Sequence, residues 1–241
     1  MNRFRRCRMR PAGIGVAVGA VGLAVLASAT PAAAARLGAA DLGFSVGAAS
    51  DYVFRGKSLT DENPQIYGGV NAAVGRAYAG VWVSNVDFGN GTDAEFDLYV
   101  GVTPQAGPVS FDLAIIYYGY AGQPKGSHQD YFEGKVAATV PLGAASLGAA
   151  VAYSPEYMGK RGKALYYEIN AATTVPGTPF SISAAAGRQE FNGPFDYNTW
   201  NVGVGYALGG HLGFDVRYWD TDVGGDKLYG SRVTAGVKLT F

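Results

Sequence analysis

The chain has 241 residues, a formal net charge of zero, 36 glycines and a single cysteine, Cys7. Five of its 19 basic residues but none of its 19 acidic residues fall in the first 35 positions, so residues 36–241 carry 14 basic and 19 acidic side chains and a net charge of −5. This acidic balance argues against binding of nucleic acid, which depends on lysine and arginine contacts to phosphates. Because Cys7 belongs to the opening stretch, residues 36–241 can form neither a disulfide nor a cysteine-ligated metal site.

The first 35 residues have the pattern of a secretory signal peptide. Five arginines precede an uncharged run of Ala, Val, Gly and Leu over 12–29, and the segment closes in small residues that end at Ala35. A basic start, an apolar middle and an Ala-x-Ala end predict export through the Sec pathway, with cleavage near Ala35. A membrane-anchoring helix is the poorer interpretation because the run is short and rich in glycine. The chain therefore divides into a signal peptide at 1–35 and one domain at 36–241.

The rest of the chain alternates between apolar and polar residues, which is typical of strands with two unlike faces. The clearest segment sets Phe96, Leu98 and Val100 against Glu95 and Asp97. Five further segments follow the same rule, and turn residues divide the remainder. About twelve strands are predicted, at 42–55, 64–75, 77–87, 94–105, 108–120, 130–141, 145–155, 163–175, 179–190, 197–207, 211–221 and 230–241.

The connections between these strands alternate in length. Tight turns, each containing glycine, are predicted near 75–76, 106–107, 142–144, 176–178 and 208–210. Longer polar connections are predicted at 56–63, 88–93, 121–129, 156–162, 191–196 and 222–229. Bacterial outer-membrane barrels combine an even number of strands with short periplasmic turns and longer extracellular loops. The sequence therefore predicts an all-β, up-and-down antiparallel transmembrane β-barrel with both termini in the periplasm.

Physical constraints of a bilayer agree with this prediction. A strand that crosses a bilayer needs ~9–11 residues, and only a closed sheet satisfies every backbone amide in lipid. The apolar faces of the predicted strands are nearly free of charge, so we expect them to contact outer-membrane lipids. Aromatic residues near strand ends, such as Tyr117 and Trp219, either form interfacial girdles or reflect the general preference of tyrosine and tryptophan for strands.

Two stretches resemble a known family. Ser50-Asp51-Tyr52-Val53-Phe54-Arg55-Gly56-Lys57-Ser58, continued by 64–69, resembles the opening motif of the TorF-type putative porins of proteobacteria, and 78–88 is similar to that family's second signature. The resemblance covers about 42–120 and implies an outer-membrane location and a pore whose solute is not established. The C-terminal strand, which ends in Phe241, is similar to the signal that the barrel-assembly machinery reads.

Enzymatic chemistry is not expected. His128 lies in a polar loop beside Ser127 and Asp130, but a catalytic triad is defined by geometry rather than by adjacency in sequence. His211 follows a predicted periplasmic turn on the other side of the membrane, so the two histidines cannot share a metal. We expect no catalytic residues, no metal and no cofactor.

The charged residues of the polar faces are the candidate pore lining. They are Asp51, Arg55, Glu95, Asp97, Asp112, Glu133, Lys135, Glu168, Asp215, Arg217, Arg232 and Lys238. One hypothesis places Glu95, Asp97 and Asp112 on an acidic wall, opposite a basic wall of Arg55, Arg217, Arg232 and Lys238. Such walls would select small polar solutes or ions. The other hypothesis is that these charges pair with one another and fill the lumen.

Three functions are compatible with these sequence features. The first is a porin-like channel for passive diffusion of small hydrophilic solutes or ions, with a mild preference for cations because of the net charge. The second is a non-conducting outer-membrane barrel with a structural or surface-binding role, and a soluble periplasmic β-protein is the third. The connection at 121–129 is a candidate for an inward-folded constriction.

Overall fold

The structure is a computed structural model that describes residues 35–241. The predicted signal peptide, apart from Ala35, lies outside the described residues. Twelve long strands, β1 to β12, follow one another at Ala40–Ala49, Gln65–Val74, Ala77–Asn85, Ala94–Val102, Val109–Ala121, Tyr131–Leu142, Ala145–Ser154, Ala164–Thr174, Phe180–Phe191, Tyr197–Leu208, Leu212–Thr221 and Arg232–Thr240. A search of the described residues for a membrane-crossing apolar helix finds none.

The twelve strands close into an antiparallel barrel. Each strand pairs with its neighbour in sequence, and β1 pairs with both β2 and β12, with Ala49 opposite Gln65 on one side and Gly236 on the other. Closure removes the free edges that an open sheet would leave unpaired. The predicted twelve-stranded up-and-down barrel is therefore confirmed.

Five short elements accompany the barrel strands. Ala35–Leu37 pairs with the beginning of β1, and Gln105–Ala106 pairs with the beginning of β5. Val53–Phe54 and Lys57–Ser58 pair only with each other, and Lys227–Tyr229 forms one turn of 3-10 helix.

The connections sort to the two ends of the barrel. One end, here called the loop end, carries the connections 50–64, 86–93, 122–130, 155–163, 192–196 and 222–231. The opposite end, here called the turn end, carries the remaining connections and also the first and last residues of the domain. The difference in length is smaller than predicted. The loop-end connection 192–196 has five residues, whereas the turn-end connections 175–179 and 103–108 have five and six.

The two faces of the sheet have the predicted composition. In β4, Val100 is 56% exposed on the outside of the barrel, whereas Glu95 and Asp97 are buried on the inside. The next strand repeats the pattern, with Ile115 58% exposed and Ala114 buried. The exterior is therefore an apolar band, and the interior is polar.

The first strand is shorter than predicted. We expected it to continue to 55, but β1 ends at Ala49 and the chain then turns into the barrel. Alternation continues through Tyr52 and Phe54 because this segment forms a hairpin of its own, with Phe54 opposite Lys57. A period of two identifies an extended segment but not the strand with which it pairs.

Candidate functional site

The lumen differs between its two ends. At the turn end, many of the inward residues are small or polar and remain partly exposed; examples are Asn71, Ser110, Ser146, Ala172 and Ser181. Tyr78 is a large inward residue that is buried at this end. At the loop end, the inward residues are large and buried; examples are Glu95, Tyr118, Glu133, Tyr166 and Gln189. The lumen is therefore accessible from the turn end and obstructed towards the loop end.

Residues 50–64, here called loop 1, cause this obstruction. Val53–Phe54 and Lys57–Ser58 form its hairpin, and Arg55 and Gly56 form the two-residue turn between them. Both turn residues have positive φ, 51° and 83°, as the type I′ turn that suits tight hairpins requires. The turn points into the lumen, where the side chain of Arg55 is only 1% exposed.

The hairpin crosses the lumen from one wall to another. At its tip, a Cβ atom on Gly56 would collide with the side chains of Thr199 on β10 and Thr221 on β11. On another side, the hydroxyl of Tyr52 donates a hydrogen bond to Glu95 on β4, at 3.1 Å. Loop 1 therefore touches walls that belong to widely separated strands.

Arg55 is the centre of the contacts made by the hairpin. Its guanidinium donates to both carboxylate oxygens of Glu133 on β6, at 2.9 and 2.7 Å, and to Gln189 on β9, at 2.9 Å. It also lies 4.5 Å from the ring centroid of Phe54 and 4.4 Å from that of Tyr166. Burial opposes the charge of Arg55, but the carboxylate of Glu133 outweighs burial and raises the pKa of the guanidinium above its ordinary value.

Asp51 holds the base of loop 1. Its carboxylate accepts hydrogen bonds from Ser58 at 2.7 Å and Thr60 at 2.8 Å, and it forms an ion pair with Arg232 on β12 at 2.8 Å. Arg232 also lies 3.6 Å from the carboxylate of Glu62. These contacts fix both arms of the hairpin to the wall from which it starts.

Other predicted lining residues pair along the walls. Lys135 contacts Asp112 at 2.7 Å, and the hydroxyl of Tyr78 donates to the same carboxylate. Arg217 pairs with Asp215 at 3.0 Å and donates to Asn201 at 2.6 Å.

The remaining predicted residues are less fully partnered. Glu168 accepts hydrogen bonds from Tyr166 at 2.8 Å and Asn170 at 3.0 Å. Within the described residues, one carboxylate oxygen of Glu95 and one of Asp97 are buried without a hydrogen-bond partner. Lys238 lies half-buried near the turn end of β12.

The observed pairs do not follow the two opposing walls of the first hypothesis. Asp112 is neutralised by Lys135 on the adjacent strand and does not join Glu95 and Asp97. Arg55 is carried by loop 1 to Glu133, away from the other predicted bases. Sequence position along a strand gives the face of a residue but not the charge that lies next to it.

The constriction also comes from a different connection. The candidate was the connection predicted at 121–129, which the structure has at 122–130 and which is here called loop 3. Most of its residues are exposed at the loop end, and among them only Gln129 is buried. His128 is exposed in this loop, whereas His211 contacts the carbonyl of Thr240 at the turn end, at 2.8 Å. Within the described residues, no group of three or more His, Cys, Asp or Glu could hold a metal.

Three residues of the hairpin contacts were missed by sequence reasoning. Gln189, Tyr166 and Tyr118 lie on inward positions of predicted strands, but nothing local distinguishes them from other inward residues. Loop 1 itself had a signal, since Arg55-Gly56 between two alternating segments matches a two-residue hairpin turn.

Sequence comparison identifies the family. Residues 33–240 match the family model described as "Bacterial protein of unknown function (Gcw_chp)". The chain belongs to that family. No curated protein matches this family member in sequence.

Solved structures resemble the barrel in fold. The match to a KdgM porin has a TM-score of 0.59 and 10% sequence identity, and it covers 83% of this chain and 99% of the porin. The match to the KdgM porin in complex with disordered oligogalacturonate has a TM-score of 0.57 and 10% identity, and it covers 83% of this chain and 98% of that porin. The match to a NanC porin has a TM-score of 0.55 and 8% identity, and it covers 83% of this chain and 98% of that porin. Identities this low support the shared twelve-stranded fold alone.

Proposed function

We propose that this chain is an outer-membrane channel that lets small hydrophilic solutes or ions diffuse passively, without catalysing a reaction. The observation that carries the proposal is a closed barrel with an apolar exterior band, nearly free of charge, around a polar interior. Lipid requires both features, because an unpaired backbone amide or an outward charge is costly in hydrocarbon. Solutes would pass along the small polar residues of the turn half and the charged lining residues described above.

The proposed location follows from several features together. A signal peptide at 1–35 supports Sec export, and short connections at the turn end support periplasmic termini. We propose that the final strand, ending in Phe241, is read by the barrel-assembly machinery, and that the exterior band contacts outer-membrane lipids. The resemblance of 50–58 to the TorF-type putative porins supports the same location.

A non-conducting barrel is the second candidate function. It is favoured by the ion pairs Arg55–Glu133, Asp51–Arg232, Asp112–Lys135 and Asp215–Arg217, all at contact distance. With the hairpin of loop 1, these pairs fill much of the loop end, as side chains do in small closed barrels.

Single-channel recording separates the two functions. The full chain would be expressed in a Gram-negative host, purified from the outer-membrane fraction in detergent and inserted into a planar bilayer under a salt gradient. We expect discrete current steps, with a reversal potential of the sign for cation preference because residues 36–241 carry a net charge of −5.

The control is a sample of the same protein that circular dichroism shows to be unfolded. Silence from the folded protein would favour the non-conducting barrel. Recovery in the soluble periplasmic fraction without detergent would contradict both.

A further inference from the structure

A cavity of about 470 Å³ lies on the loop-end side of loop 1. Lys57, Ser58 and Leu59 of the hairpin line one part of it, and residues of the other loops and the adjoining strand ends line the rest. Its volume is in the range of sites for small organic ligands, ~300–1,000 Å³. None of the charged residues predicted to line the pore lines this cavity.

Aromatic rings form a continuous wall of this cavity. The ring of Tyr157 lies 4.5 Å from that of Tyr131 and 5.3 Å from that of Phe191. Further along, the rings of Tyr197 and Tyr229 lie 5.1 Å apart. Because these rings hold one another in place, they present fixed apolar surfaces to a flat ligand.

Two cations line the same cavity without a counter-ion. No carboxylate of the described residues lies within 4.0 Å of Lys57 or Arg161. The ammonium of Lys57 lies 5.6 Å from the ring centroid of Tyr229. Burial, and then the positive charge of Arg161, lower the pKa of Lys57, while Asp226 acts weakly in the opposite direction. The two cations therefore have electrostatic capacity for an added anion.

The two acidic residues that line the cavity, Asp61 and Asp87, do not contact these cations. Asp61 forms an ion pair with Lys227 at 2.6 Å, and Lys227 is not among the residues that line the cavity. Asp87 accepts a hydrogen bond from the backbone N–H of Gly89 at 2.9 Å. The cavity thus combines aromatic walls with two available positive charges.

From this combination we infer that the cavity binds a small carboxylate attached to a ring with an apolar face, with the carboxylate on Lys57 and Arg161 and the ring against the aromatic wall. Charge-assisted hydrogen bonds to the cations would select the anion, and the tyrosine and phenylalanine rings would select the shape. An aromatic acid and a sugar acid share this chemistry. The inference rests on the proposed function only in that uptake of the ligand requires a channel. Binding of the ligand to the cavity does not depend on conduction.

Equilibrium binding in detergent tests the inference. The purified full-length product would be titrated calorimetrically with benzoate and with D-glucuronate, and with benzamide and D-glucuronamide as their uncharged counterparts. We expect at least one acid to bind about tenfold or more tightly than its amide. The acid that binds identifies the aromatic or the sugar source of the ligand.

Matched variants locate the site. Lys57→Gln/Arg161→Gln should weaken acid binding about tenfold or more, whereas Lys125→Gln/Lys163→Gln, which removes two exposed loop cations outside the cavity lining, should leave it unchanged. Circular dichroism and heat-modifiable gel mobility would verify that each variant is folded.

The opposite results would overturn the inference. One such result is that neither acid binds more tightly than its amide. The other is that the two double variants bind the acid equally tightly. A protein that binds but does not conduct would refute the channel and keep this site, and a protein that conducts without binding would refute this site alone.

Discussion

At the scale of single residues, Arg55 shows how strongly loop 1 depends on the barrel wall. Its charge is almost completely buried, and the bidentate contact with Glu133 compensates for the loss of water. Removal of either partner would leave an unpaired charge in a poorly hydrated place, which is more costly than the pair itself is stabilising. The pair therefore determines where the hairpin sits more than how stable the barrel is.

A substitution that adds one methyl group at Gly56 tests whether the tip of the hairpin packs against the barrel wall. Gly56→Ala should undock the tip, because the added Cβ meets Thr199 and Thr221 and because φ is +83°. The expected result is faster hydrogen exchange of the Leu59 amide, which donates to the carbonyl of Tyr52 at 2.7 Å within the hairpin.

Gly75→Ala is the matched control. Gly75 has a φ of +62° in the turn between β2 and β3, and its Cβ would have no neighbour within 4 Å. Both variants carry the left-handed strain of ~1 kcal/mol, but only one carries the collision. Equal exchange at Leu59 in the two variants would show that the tip does not rest against β10 and β11.

At the scale of elements, loop 1 and loop 3 have different relations to the lumen. Loop 1 sends its hairpin inward, and its backbone is tied to the next long loop by a hydrogen bond from Asp87 N–H to the carbonyl of Leu59, at 2.8 Å. Loop 3 remains mostly exposed. Only the first of these loops extends into the lumen.

Shortening loop 1 should therefore widen the path. Because Ala49 and Gln65 are directly paired, residues 50–64 can be replaced by a short Gly-containing turn with the barrel strands intact. We expect a severalfold larger single-channel conductance and faster swelling of sugar-loaded liposomes. Replacement of loop 3 by the same short turn is the control and should change neither. An unchanged conductance without loop 1 would mean that the hairpin does not obstruct the lumen.

At the scale of the whole molecule, the barrel separates two environments across a single layer of backbone. Ala184 and Ala185 are consecutive in the middle of β9, yet the first faces outward and the second faces the lumen. If the exterior contacts lipid, the same change of residue should have opposite consequences at these two positions.

Lysine substitution at each position measures this difference. Ala184→Lys should lower the free energy of unfolding by ~2–4 kcal/mol in phospholipid vesicles, the cost of a lysine near the bilayer midplane. Ala185→Lys should cost much less, because its ammonium remains in the polar lumen. Urea unfolding followed by tryptophan fluorescence would give both values, and equal costs would contradict the lipid-facing assignment of the exterior.

The sequence by itself determined the closed barrel, because each strand carries its own evidence. Alternation in segments such as Phe96 to Val100 assigns the two faces, and the connections assign the order of strands. Both signals are local in the sequence, so they can be recognised without knowing which residues of other strands lie next to them.

Only the tertiary structure decided what fills the lumen. Arg55 meets Glu133 across 78 residues of sequence and Gln189 across 134, and Asp51 meets Arg232 across 181. Barrel closure creates these contacts, and no pattern within one segment encodes them. For the same reason, the alternation of 50–55 was read as part of a wall strand, although its hydrogen bonds are made within a hairpin that folds into the lumen.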